Sequence, residues 1–121
     1  MVGVAVRIEA PFPSAKLSAH NTGHWSKKAG EIAAFRSRGR QEASIYALDI
    51  PPDGDIFLRF DFHPPDNRGD RTNYYNRCKA LIDGIADGLG VNDKRFVPIM
   101  DASSFHPPEK PGRVVVTLAL A

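Results

Sequence analysis

From Ile56 to His63 the chain alternates without a break, with Ile56, Leu58, Phe60 and Phe62 set against Phe57, Arg59, Asp61 and His63. Successive side chains of a strand point to opposite faces, so this run predicts a strand with one buried face. Val2, Val4, Val6 and Ile8 against Arg7 and Glu9 predict another, ended by Pro11 and Pro13. Between them the spacing turns helical from Trp25 to about Ala47, with Trp25, Ala29, Ile32, Ala43 and Ala47 on one face. Gly30 and Gly39 each cost such a helix about 1 kcal/mol relative to Ala, so a bend or interruption is expected there. A second helix is predicted from about Arg71 to Leu89. A short strand follows around Arg95 to Met100, then a Pro-rich hairpin connection from Ser103 to Gly112. The last strand runs from Arg113 to Leu120, rich in Val. The order β-α-β-α-β-β predicts an α/β (α+β) fold, a mixed sheet carrying two helices.

A chain of 121 residues supports one hydrophobic core, so residues 1–121 are expected to form a single domain. About two-thirds of the extended-chain surface is buried at this size, so dimerisation would add useful burial. A formal charge of +2 and a pI of about 8.9 are compatible with a nucleic-acid partner without requiring one. Cys78 stands alone, which leaves no intramolecular disulfide and no Cys-based zinc site. His20 and His24 lack a third ligand nearby, and His63 and His106 precede prolines and read as turn residues, so zinc is not expected. The first residues lack the basic start and long apolar core of a signal peptide. No apolar run approaches the roughly 20 residues of a membrane span. A cytoplasmic protein without membrane contact is the expectation.

The most informative stretch begins at Asp70. On a helix at roughly 100° per residue, Tyr74, Cys78, Leu81, Ile82, Ile85 and Leu89 form one apolar stripe. Thr72, Asn76, Lys79 and Asp83 fall in a band nearly opposite, with Asp70 at its entrance. By itself this band is equally well a solvated face, with Asp70 as an N-cap and Lys79–Asp83 as an i, i+4 pair.

Two segments resemble the RusA family of Holliday junction resolvases, especially its phage-encoded branch. The first is Leu17 to Ala29, with its Asn-containing loop, the His24–Trp25 pair and a basic helix start. The second, from Phe62 to Phe96, holds Asp70-Arg71-Thr72-Asn73, similar to the family's Asp-x-Asp-Asn box. It continues with Lys79, with Asp83-Gly84-Ile85-Ala86-Asp87, and with the turn Asn92-Asp93-Lys94-Arg95-Phe96. The resemblance implies a RusA-like domain acting as a symmetric homodimer on four-way DNA junctions. It implies hydrolysis of phosphodiester bonds with Mg2+, or Mn2+ in its place, and roles in DNA recombination and repair. By position, Asp70, Lys79 and Asp93 match the catalytic residues, and Asp70, Asp93 and Asp83 the metal ligands. Two positions depart from the pattern: Thr72 stands where the box has its second aspartate, and Asn92 replaces the first acidic residue of the turn.

Magnesium draws much of its binding energy from carboxylates, so the loss at position 72 weakens the expected site. Thr72 itself, Asp66 or Asp83 is a partial substitute. The alternative is therefore a non-catalytic descendant of the same fold that binds branched DNA. For DNA contact the expected phosphate-facing set is Lys27, Lys28, Arg36, Arg68, Arg71 and Arg77, with Arg38 and Arg40 beside them on the first helix. Charges along a helix are also what any solvated face carries. Trp25, Tyr74 and Tyr75 have the chemistry to stack on bases, but Tyr74 falls on the apolar stripe and is given no binding role.

Overall fold

The computed structural model describes residues 6–17 and 25–120, with the side chains of residues 25–27 and 120 left aside. Four strands and two helices make up its regular structure: β1 (Val6–Pro11), α1 (Trp25–Ser44), β2 (Ile56–His63), α2 (Lys79–Leu89), β3 (Phe96–Ile99) and β4 (Arg113–Leu120). The order is β-α-β-α-β-β, as the periodicity predicts. The strands form one mixed sheet in the order β1-β4-β2-β3. β4 is antiparallel to both β1 and β2, whereas β3 runs parallel to β2. The segment from Ser103 to Gly112 is therefore no hairpin, because β3 and β4 lie on opposite sides of β2. A parallel pair needs a crossover, and here α2 supplies it between β2 and β3. Pro98 lies in β3, at the sheet's outer margin opposite Leu58.

Alternation on β2 sends Ile56, Leu58, Phe60 and Phe62 into the core, none more than 1% exposed. Ile8, Val114, Val116 and Leu118 join them from β1 and β4, and both helices close over this face. The predicted stripe on the second helical segment holds completely: Tyr74, Cys78, Leu81, Ile82, Ile85 and Leu89 are all buried. Its backbone departs from expectation, however. Arg71–Asn73 and Asn76–Cys78 are separate 3-10 turns, and the α-helix starts only at Lys79. Asp, Thr, Asn and Tyr are weak helix formers, and short polar side chains offer the backbone competing local bonds. The helix ends on Gly90, whose left-handed φ of 69° closes it with bonds back to Ala86 and Asp87.

α1 is one unbroken helix, so the expected interruption at its glycines does not occur. Gly39 instead faces α2, where a Cβ would come within 2.5 Å of the Leu81 carbonyl. Gly84 and Gly88 answer from α2: a Cβ on either would overlap the backbone of Arg36 or Arg40. The two helices thus meet backbone to backbone, and the cost of glycine in α1 is offset by that approach. No helix among the described residues is long and apolar enough to cross a membrane.

Candidate functional site

The first two turns of α2 and the turn into β3 bring three charged groups together. Lys79, in the first turn of α2, directs its ammonium to Asp83 Oδ1 at 2.8 Å, one helical turn on. The same Nζ reaches Asp93 Oδ2 at 3.4 Å, on the 3-10 turn Asp93–Arg95 that leads into β3. That turn is set by Asn92, whose side-chain oxygen accepts from the Lys94 N–H at 2.9 Å. Asn92 is thus the N-cap of the turn that presents Asp93. The hydrogen bond with Asp83 first, and that with Asp93 after it, hold the Lys79 ammonium above its ordinary range. Lys79 is consequently charged at every physiological pH, in a largely exposed position where the pairs add little stability.

Asp70 is engaged with its own turn. Its carboxylate accepts from the Thr72 N–H at 3.0 Å and caps the turn Arg71–Asn73. The backbone N–H of Thr72 first, and its hydroxyl second, lower the Asp70 carboxyl below the usual range. Thr72 is therefore bound up with Asp70, and Asp66 caps the preceding loop by accepting from the Arg68 N–H. Among the described residues the Asp70 carboxylate shares no hydrogen bond or ion pair with Lys79, Asp83 or Asp93. Of the four expected catalytic and metal-ligating residues, hydrogen bonds join Lys79, Asp83 and Asp93. Among the described residues no three His, Cys, Asp or Glu side chains form a metal-holding group.

The donor set still suits a hard divalent cation. Magnesium keeps several waters and is commonly held by one or two carboxylates together with substrate phosphates. Asp83 and Asp93 supply two carboxylates that already converge on one cation, Lys79 Nζ. They line a polar depression of about 220 Å³ with Arg36, Asp87 and Asn92.

An uncharacterized protein of Xylella fastidiosa is 32% identical to this chain over 114 residues, covering 89% of this chain and 72% of its own length. The two chains belong to one family. No family model matches the chain.

The basic residues expected to meet phosphate are distributed unevenly over this family member. Lys28, half-buried, lines a second depression of about 230 Å³ beside Lys16, Lys79 and Asp83. Arg36 is committed to Asp87 through two bonds of 2.7 and 3.1 Å, and those bonds raise its pKa. Arg71 is exposed with its guanidinium 5.6 Å from the Phe105 ring centre, and Arg68 is exposed on the loop before Asp70. Arg38 Nε donates to the Glu9 carbonyl and ties α1 to β1. Arg77 is a correction, because only 8% of it is exposed. Its guanidinium lies over Tyr74 at 5.2 Å and Phe12 at 5.8 Å, as a cation held by aromatic faces. The side chain of Lys27, together with that of Trp25 and the residues His20 and His24, falls outside the described residues.

Two features went unread in the sequence. Lys16 lies on a 3-10 turn, Ala15–Leu17, within a loop too short to show periodicity, yet it joins Lys28 and Lys79. The histidines expected in turns are a stacked pair instead. His63 ends β2, its ring 4.1 Å from that of His106, and His106 Nε2 lies 2.9 Å from Asp61 Oδ1. The alternation on β2 does place Asp61 and His63 on one face; what it cannot show is that a distant loop folds His106 onto them.

Proposed function

We propose that this protein is a RusA-like, structure-specific endodeoxyribonuclease that acts on four-way DNA junctions with Mg2+ or Mn2+. The observation carrying this reading is the convergence of Asp83 and Asp93 on Lys79 at the α2–β3 edge, beside a basic depression. Asp83 and Asp93 would hold the ion, with Asp70 entering only if its cap on Thr72 opens. When bound, a divalent ion polarises a phosphoryl oxygen and acidifies an attacking water. Lys79 contributes a fixed positive charge where negative charge builds on phosphorus, which is most effective when positioned in advance. Asn92 keeps the turn, and with it Asp93, in place. A homodimer would present two such sites to paired strands, the simplest way to make matched cuts.

The purified protein, given a labelled four-way junction and magnesium, should yield paired symmetric nicks. Asp93→Asn should abolish nicking while junction binding stays intact or tightens, because a negative charge beside the phosphate is gone. Full activity in that variant removes Asp93 from the chemistry. The second reading is a branched-DNA-binding protein without cleavage. Thr72, engaged with Asp70, and Lys79, already paired with both carboxylates, favour it. A band shift without nicks supports this second reading, and cleavage gained by Thr72→Asp would identify a decayed site.

A further inference from the structure

Next to the Lys79–Asp93 pair a cavity of about 430 Å³ opens between Tyr75 and Phe96. Its volume falls within the roughly 300–1,000 Å³ of small-ligand clefts. Leu17 and Ile82 supply apolar wall, and Asn76 and Asp93 supply hydrogen-bonding groups. Tyr75 packs perpendicular to Phe60, with ring centres 5.2 Å apart and an interplanar angle of 87°, which holds its ring in place at the cavity wall. Burial first, helped by nearby Cys78, pushes the Tyr75 phenol above its ordinary pKa and keeps it a neutral donor. An aromatic-walled slot with a carboxamide that both donates and accepts suits a flat heteroaromatic ring. The neighbouring depression shares Leu17 and Lys79 with this cavity. There Lys16, Lys28 and Lys79 outnumber the carboxylate of Asp83, so an anionic group is favoured one step from the ring.

We propose that the cavity between Tyr75 and Phe96 receives an unstacked nucleobase of the bound DNA, with the adjoining phosphate drawn to Lys16, Lys28 and Lys79. The inference rests on the DNA-binding reading above and adds to it a subsite that takes one nucleotide out of the stack. Unstacking is least costly at unpaired or branch-flanking positions, which gives such a subsite a preference for them. It also gives Tyr75 a function that its place beside the apolar stripe conceals.

The test replaces bases rather than side chains first, which leaves the protein's fold untouched. Junctions carrying an abasic nucleotide at each branch-flanking position in turn are titrated against the full-length protein by fluorescence anisotropy. One or two positions should lose roughly tenfold in affinity, the scale of one base–aromatic stack. Phe96→Leu and Asn76→Ala should bind the intact junction more weakly and lose little more at those same positions. An absence of any abasic effect, or equal abasic effects in wild type and variants, overturns the proposal. A short single-stranded thymidine oligonucleotide and its fully abasic counterpart form the second arm. Preference for the thymidine strand, lost in Phe96→Leu, without any junction preference would sink the resolvase reading and keep the base pocket. Junction cleavage with indifference to every abasic substitution would do the reverse, and binding to neither DNA ends both.

Discussion

At the scale of single residues, burial decides which titratable groups are available for chemistry. Cys78 is fully buried, and desolvation pushes its thiol up to about 12. Since the thiolate is the reactive form, Cys78 should resist thiol-specific reagents in the native protein and react only on unfolding. Rapid labelling under native conditions would contradict that. His63 is the opposite case of a base kept neutral. Burial first, then His106 and Arg113, lower its pKa from 6.5, while Glu109 and Asp61 oppose the shift. A base with a depressed native pKa leaves the unfolded chain the better proton binder. Its stabilising effect is present above the unfolded value and is lost as pH falls from about 6.5 toward the lower native value. Thermal melts of the wild type should therefore lose stability as pH falls below about 6.5, and His63→Gln should flatten part of that fall. Lys79 and Asp83 are legible in the sequence because their partnership is local. Asp93 and His106 are not, because only the folded chain brings a turn or a loop back onto a distant element.

At the scale of elements, the glycines of the two helices carry opposite expectations. Gly84→Ala drives a methyl group into the Arg36 backbone, where neither helix has a flexible side chain to move aside. Overpacking of this kind costs typically 1–3 kcal/mol, and urea titration should place the variant at or beyond the upper end. Gly30→Ala meets nothing within 4 Å and lies in the same unbroken helix as Gly39. It should gain up to about 1 kcal/mol from helix propensity. β2 and β4 were legible from the residues to their ends, whereas β1, expected from Val2 to Glu9, runs Val6–Pro11, with residues 2–5 outside the described residues. The second helical segment was legible by its stripe and not by its backbone. Periodicity reports which side chains are buried, and both 3-10 turns and α-helix bury Tyr74 and Cys78. Whether a glycine breaks a helix or admits a neighbour is likewise a tertiary question, invisible to propensity alone.

At the scale of the whole molecule, the charge is nearly balanced, and much of it is consumed internally. Arg36 pairs with Asp87, Arg113 with Glu109, and Arg59 with Asp61 and Asp101. Among the described residues Lys16, Lys28 and Lys79 line one depression, the last of them paired with Asp83 and Asp93, so DNA affinity should rest on a small number of phosphate contacts. Log affinity for a junction against log salt should then fall with a slope of about −3, since each neutralised phosphate contributes about −0.9. A slope near −8 would mean that the paired arginines also face the backbone. The mixed sheet was legible as a class from the element order, but its strand order was not. Nothing local tells β4 to lie between β1 and β2.

That strand order leaves β3 as a margin whose backbone, among the described residues, has no strand neighbour on one side. Unpaired strand margins invite extension by another chain, and a residue without an N–H interrupts the ladder such extension requires. Pro98, seated in the middle of so short a margin, makes this side of the sheet a poor template for fibrillar growth. Pro98→Val would restore the missing donor, and the resulting protein should aggregate more readily on prolonged incubation near its melting temperature.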